Sequence, residues 1–207
     1  MKSVSPVFKQ TYQNYLSRIR EVDAKPLAIK LGVHADHGAI TVPLFGRPHT
    51  IYDNKISDPE GKRPPFDICI ILCKYILLCP ERLTGQKEWT AYRDFKDAGP
   101  LTTYFSNDVE NAISGHFSGK LNELTTACRL IGGRDPRMDV SYDLAATFDL
   151  LPRVPLLLLF SDGDDDFPAH CSVLFEKQAD TFLDAECLAM AGRLLFERLS
   201  TRSPDDR

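Results

Sequence analysis

The stretch from Val154 to Phe175, VPLLLLFSDGDDDFPAHCSVLF, predicts the centre of the fold. Val154 to Phe160 is apolar on both faces of an extended strand, which is typical of a strand buried inside a sheet. Apolar and polar residues alternate from Ala169 to Phe175, as in a strand with one buried face. The acidic residues between the two runs fit a hairpin turn. The stretch therefore predicts two paired strands at the middle of a sheet.

The remaining patterns predict the other elements of an α+β fold. Three and four residue spacings indicate helices, and short alternating runs bounded by Gly and Pro indicate strands. The first predicted helix starts at Ser5-Pro6 and ends before Pro26. Four more are predicted at Phe66–Leu78, Tyr104–Phe117, Leu121–Ile131 and Asp184–Leu199. The predicted strands are Ala28–Val33, Ala39–Leu44, His49–Tyr52 and a weak one near Ser141–Phe148, with a turn at residues 34–38 and a loop at Asp53–Pro65.

We therefore expect one α+β domain, in which an antiparallel β-meander and a β-hairpin sheet pack against four or five helices. The length of 207 residues suits a single domain at residues 1–199, followed by a flexible tail at 200–207. For Phe66–Leu78 a strand is the alternative, because this run is rich in isoleucine.

Charge and hydropathy exclude two classes of partner. The net charge is −4 and no basic stripe appears, so we expect no nucleic acid. No apolar run approaches the roughly 20 residues that cross a bilayer, so we expect no membrane. The N-terminus lacks the apolar region of a signal peptide, which predicts a cytoplasmic protein.

The aspartate turn is the first candidate site. Asp162, Asp164 and Asp166 have the spacing that opens a calcium-binding EF-hand loop. The match then fails, because Phe167 stands where the loop needs glycine and Val173 where it needs glutamate. A solvated hairpin turn, whose charges prevent pairing at a sheet edge, is the plainer interpretation.

His170 adds a sharper alternative at the same turn. A carboxylate beside a histidine can orient it for acid–base chemistry or share a divalent ion with it. The candidate catalytic residues are then Asp164, Asp165, Asp166 and His170, and the candidate metal ligands are Asp162, Asp164, Asp166 and His170.

Arginine and histidine suggest a ligand site elsewhere. Arg47 and Arg63 lie in proline-rich turns that could present a guanidinium to an anionic ligand. His49 lies beside Arg47 and is the third candidate ligand-binding residue, with a surface histidine or a solvated arginine as the plainer interpretation.

The six cysteines match no pattern for a metal or an iron–sulfur cluster. We expect most of them to pack in the core as reduced thiols.

Four segments together resemble a bacterial and archaeal family, domain of unknown function 3786. They are LFGRPHTIY at Leu44–Tyr52, LTGQKEWTAYRDFKDAGP at Leu83–Pro100, LPRVPLLLLFSDGDDDFPAHCSVLF at Leu151–Phe175 and TFLDAECLAMAGRLL at Thr181–Leu195. The resemblance implies an origin mainly among anaerobes and, for some members, a fused iron–sulfur cluster domain similar to that of corrinoid iron–sulfur proteins. This chain lacks that cysteine-rich extension, and no catalytic residue carries over.

Three functions follow from these patterns. The first is a ligand-binding or accessory protein of anaerobic metal, corrinoid or one-carbon metabolism, with a small molecule or a redox or corrinoid protein as its partner. The second is an enzyme that uses the Asp–His site, alone or with a metal. The third is a protein-interaction module, which predicts a large exposed apolar patch.

Overall fold

The computed structural model describes residues 6–83, 85, 87–138 and 141–201, with side chains described from Gln10 onward. Its helices and two antiparallel sheets confirm the α+β prediction. One contiguous core of buried side chains runs through both sheets and the helices. The predicted cap Ser5 and most of the predicted tail lie outside the described residues, and Ser200 ends the last helix.

The first sheet is the predicted meander with one more strand. Its order is β1-β2-β3-β4, and neighbouring strands are antiparallel. The strands are β1 (His34–Asp36), β2 (Ala39–Leu44), β3 (Arg47–Tyr52) and β4 (Lys55–Ser57). The prediction of a loop at Asp53–Pro65 was wrong at Lys55–Ser57, which form β4. Three residues are too few to show the alternating pattern of a strand. A turn was predicted at residues 34–38. The structure has a turn only at His37 and Gly38, because His34–Asp36 form β1.

The second sheet has the order β5-β8-β7-β6, so β7 and β8 are its inner strands as predicted. The strands are β5 (Trp89–Ala91), β6 (Leu144–Leu151), β7 (Val154–Ser161) and β8 (His170–Glu176). Leu156, Leu158 and Phe160 face the core. Leu157 and Leu159 point to the other side, yet they are only 1% and 6% exposed. Burial on both faces explains the run of four leucines.

The helices surround the two sheets. They are α1 (Pro6–Arg20), α2 (Ala24–Leu31), α3 (Phe66–Leu77), α4 (Thr102–Phe105), α5 (Asn111–Phe117), α6 (Leu121–Leu130) and α7 (Ala185–Ser200). A π-helical turn, Ser106–Glu110, joins α4 to α5 within one helical segment. The helix prediction for Phe66–Leu78 is therefore confirmed, and the strand alternative is wrong.

The predicted strand at Ala28–Val33 is wrong, because Ala28 to Leu31 form the second half of α2 and Gly32 caps that helix. Asp23 caps the helix by accepting a hydrogen bond from the Lys25 N–H at 3.2 Å. Pro26 falls in the first turn, where backbone N–H groups have no partner within the helix, so it does not break the helix. The end is set by Gly32 at φ 70°, a left-handed conformation that favours glycine.

The predicted strand at Ser141–Phe148 lies three residues further along the chain, at Leu144–Leu151. The sequence predicts this strand from the alternation of Val140, Tyr142 and Leu144, of which Val140 lies outside the described residues.

Three hydrogen bonds join separate parts of the fold. The Tyr75 hydroxyl on α3 donates to the Leu31 carbonyl at 2.7 Å and accepts from the Arg153 N–H at 3.1 Å. The Phe45 N–H in the β2–β3 turn donates to the Leu150 carbonyl of β6 at 2.9 Å. The bond from Phe45 fixes a turn of the first sheet against the edge strand of the second.

Candidate functional site

The aspartate turn uses its carboxylates to hold its own backbone. Asp164 accepts the N–H groups of Asp166 and Phe167 at 2.9 and 2.7 Å. Asp162 accepts the N–H of Gly163 at 2.9 Å and that of Gly119, two residues after the end of α5, at 2.7 Å. These contacts are those of a side-chain-stabilised turn.

His170 lies at the start of β8, and its ring contacts a serine rather than an aspartate. Its Nε2 is 3.2 Å from the Ser172 hydroxyl. The side chains of Asp164, Asp165 and Asp166 are exposed, as is His170. A role of these four residues in acid–base chemistry therefore stays a prediction.

Glu110, in the π-helical turn, is an acidic group whose carboxylate interacts electrostatically with His170. Its carboxylate accepts the Val173 N–H of β8 at 3.1 Å. Burial raises the pKa of Glu110, and the hydrogen bond from Val173 together with the charges of His170 and Arg93 opposes that rise. The sequence showed no link between Glu110 and His170, because 60 residues separate them.

Within the described part of the chain, no three His, Cys, Asp or Glu side chains are grouped so that they could hold a metal ion. A metal site at Asp162, Asp164, Asp166 and His170 therefore stays a prediction, because the structure does not group these side chains as ligands.

The two candidate ligand-binding arginines, Arg63 and Arg47, make different contacts. The guanidinium carbon of Arg63 lies 4.4 Å from the centre of the Tyr12 ring, a cation–π contact with α1. Arg47, at the start of β3, pairs with Glu60 and lines a cleft of about 630 Å³.

This cleft is formed by four segments that are far apart in sequence, and we name it the Phe45 cleft. They are the β2–β3 turn, the loop after β4, the end of α6 and the end of α7. Its lining residues are Phe45, Gly46, Arg47, Pro59, Glu60, Leu130, Ile131, Gly132, Arg198 and Thr201. Arg198 comes from the last turn of α7, 151 positions after Arg47.

Phe45 itself has a strained backbone. Its φ is 49°, in the left-handed region that bulky side chains rarely occupy. Its N–H bond to Leu150 and an edge-to-face contact with the Phe148 ring at 6.3 Å hold it there. The Arg198 guanidinium carbon lies 4.9 Å from the centre of the Phe45 ring. Phe45 and Gly46, at φ 49° and 72°, are the two central residues of the β2–β3 hairpin, and such a turn favours left-handed residues at both positions.

His49 of β3, two residues after Arg47, is 2% exposed. Its Nδ1 is 2.9 Å from the Arg47 carbonyl, which can only accept, so Nδ1 carries the proton. Burial lowers the pKa of His49, and the charges of Arg198 and Arg47 act in the same direction. A neutral His49 therefore fixes the Arg47 backbone.

A family model described as a domain of unknown function, DUF3786, matches residues 23–198. The chain belongs to this family. No curated protein and no solved structure matches the chain. The matched segment of this DUF3786 domain includes both sheets and every residue that lines the Phe45 cleft except Thr201. None of the described helices has the length and apolar character needed to cross a membrane.

Sequence reasoning identified Arg47 and His49 but missed Phe45, Glu60 and Arg198. Phe45 precedes a glycine in a short turn, which was the available signal for a left-handed residue. Arg198 lies near the end of an amphipathic helix, where basic residues are common, so nothing distinguished it.

Proposed function

We propose that this DUF3786 domain is a binding protein whose small-molecule ligand occupies the Phe45 cleft. The observation that carries the proposal is a cleft that four distant segments build, lined in part by Phe45, whose left-handed backbone is held by three contacts. A volume of about 630 Å³ lies within the range of ligand sites, roughly 300–1,000 Å³.

The composition of the cleft supports binding. Leu130, Ile131 and Pro59 supply apolar surface, while Arg47, Arg198 and Glu60 supply charges that orient a ligand. Apolar walls with a few polar groups are the usual composition of such sites.

We also propose a cytoplasmic location, because all six cysteines are free thiols and five of them are buried. An accessory role in anaerobic metal, corrinoid or one-carbon metabolism stays a prediction from the family resemblance. Anaerobic purification followed by an absorbance spectrum and native mass spectrometry would reveal a retained ligand or chromophore.

The binding proposal is tested by blocking the cleft. Leu130 is 41% exposed at its wall, so Leu130→Trp should fill part of the space while the protein still folds. Ile29→Trp is the matched control, since Ile29 is an exposed aliphatic residue on α2, outside the cleft.

Both variants and the wild type would be screened by thermal shift against carboxylates, phosphate esters, amines and neutral sugars. We expect compounds that raise the Tm of the wild type and of Ile29→Trp but not of Leu130→Trp. A panel that stabilises all three proteins equally, or none of them, would count against the proposal.

A further inference from the structure

We propose that a groove between α1, α3 and α7 binds an amine as its ammonium ion. The hydrocarbon part of the amine lies on apolar walls, and its charge lies beside Asp67 and Glu186. This α1–α3–α7 groove has a volume of about 320 Å³ and shares no lining residue with the Phe45 cleft. The site is therefore independent of the binding function proposed above.

Contacts among the three helices position the groove. The Lys74 ammonium of α3 lies 2.7 Å from the Asp184 carboxylate at the start of α7. It also lies 5.4 Å from the centre of the Tyr15 ring, which brings α1 to the same place. Phe66, Ile70 and Lys74 recur at four-residue spacing, so they share the face of α3 that lines the groove.

The walls between the charged groups are apolar. Phe66 and Ile70 of α3 face Tyr15 of α1 and Met190 of α7 across the groove. Small-molecule sites commonly combine such walls with a few polar groups, and their volumes begin at roughly 300 Å³. The groove is therefore of a size for a short hydrocarbon chain.

Carboxylates outnumber ammonium groups in the groove. Its charged lining residues are Asp67, Lys74, Asp184 and Glu186. Lys74 is paired with Asp184, so these two contribute little net charge. Within the described part of the chain, neither Asp67 nor Glu186 forms an ion pair. Two carboxylates are thus left to attract a cation.

Cys187 reports the sign of the electric field at the groove wall. Its side chain lines the groove and is 1% exposed. Burial raises the pKa of the Cys187 thiol, the charges of Asp184 and Glu186 raise it further, and the charge of Lys74 opposes them. The effect of Asp184 exceeds that of Lys74, so the net field is negative. Such a field favours an ammonium ion over a neutral or anionic ligand.

The test compares n-hexylammonium with 1-hexanol, which has the same hydrocarbon chain without the charge. Chemical shift titration at constant ionic strength measures both affinities and locates the site from the backbone amides whose shifts change. We expect the amides of Ile70, Cys187 and Met190 to respond to both compounds. The ratio of the two affinities in each variant isolates the contribution of the charge.

The double variant Asp67→Asn/Glu186→Gln removes both carboxylates with little change of shape. The ratio of hexylammonium affinity to hexanol affinity should fall about three- to tenfold, as expected for the loss of two exposed ion pairs. The affinity for hexanol should stay that of the wild type, which also shows that the variant is folded.

Glu123→Gln is the matched control. Glu123 lies in the first turn of α6 as Glu186 does in that of α7, but it does not line the groove. Its affinity ratio should equal that of the wild type. Leu130→Trp should also leave the ratio unchanged, because Leu130 belongs to the Phe45 cleft.

The same affinity ratio in the wild type and in the double variant would overturn the role of the two carboxylates. Shift changes confined to other parts of the protein, or no binding of either compound, would overturn the site itself. None of these results bears on the Phe45 cleft, which Leu130→Trp tests separately.

Discussion

Gly192 on α7 lies against two apolar side chains of the helical segment that contains the π turn. A Cβ added at this position would come within 2.5 Å of Phe105 Cε2 and 3.2 Å of Val109 Cγ1. Phe105 is itself held between Tyr92, stacked at 4.3 Å, and Phe175 at 6.2 Å. The ring therefore has little room to move away.

We predict that Gly192→Ala lowers the free energy of unfolding by about 1–3 kcal/mol, as overpacking in a core does. Urea denaturation measures this change. Gly115→Ala is the control, because Gly115 is exposed on α5 and an added Cβ would meet no atom within 4 Å. That change should stabilise the protein by about 0.5–1 kcal/mol. Equal effects at both positions would contradict the packing argument.

At the scale of elements, one residue joins the start of α7 to α3. Asp184 caps α7 by accepting the Cys187 N–H at 3.0 Å, and it pairs with Lys74 of α3 at 2.7 Å. Burial alone would raise the pKa of the Asp184 carboxyl. The hydrogen bonds from Lys74 and Cys187 outweigh this effect, so the pKa is lowered.

We predict that Asp184 makes the protein less stable in acid. A carboxyl whose folded pKa is lowered contributes its full stability above its unfolded pKa, about 3.9, and loses it as the pH falls through the folded value. Urea denaturation at a series of pH values should show this loss in the wild type and less of it in Asp184→Asn. Asp184→Ala also removes the cap and should cost about a further 1 kcal/mol at neutral pH.

Asp23→Asn provides the matched control, since Asp23 caps α2 but makes no ion pair within the described part of the chain. Its acid profile should follow that of the wild type. If Asp184→Asn has the acid sensitivity of the wild type, the pair with Lys74 does not govern the effect.

At the scale of the whole molecule, the core determines the reactivity of the cysteines. Burial raises the pKa of Cys69 to about 11 and that of Cys73 and Cys128 to about 12. Burial also raises the pKa of Cys171 and Cys187. Cys79, after the end of α3, is the cysteine that is only partly buried.

We predict that one thiol, that of Cys79, reacts with a thiol reagent in the native protein at about pH 8, because the thiolate form and access to the reagent are both required. Peptide mass spectrometry after brief labelling identifies the modified residue. All six cysteines should react in concentrated guanidinium, and Cys79→Ser should leave the native protein almost unlabelled. Native labelling of Cys69 or Cys73 at the rate of Cys79 would show that the core opens readily.

The success of sequence reasoning varied with the length of the pattern. β7, α3 and α7 were predicted correctly, because a long apolar run or a helical repeat indicates which faces of an element are buried. β1 and β4 are three residues long and were missed. The second half of α2 was predicted as a strand, because eight residues complete only about two helical turns. The signals that identify the helix are its cap, Asp23, and Gly32 at its end.

The sequence by itself determined the α+β class and the hairpin at the centre of the second sheet. It also identified Arg47 and His49 as candidate ligand-binding residues. These properties depend on local periodicity and residue type. Only the tertiary structure decided that Arg198 and Glu60 share a cleft with Arg47, and that Phe45, in a left-handed conformation, lines the same cleft. The physical reason is distance along the chain, because contacts between residues as far apart as 47 and 198 form only when the two sheets and α7 pack around one core.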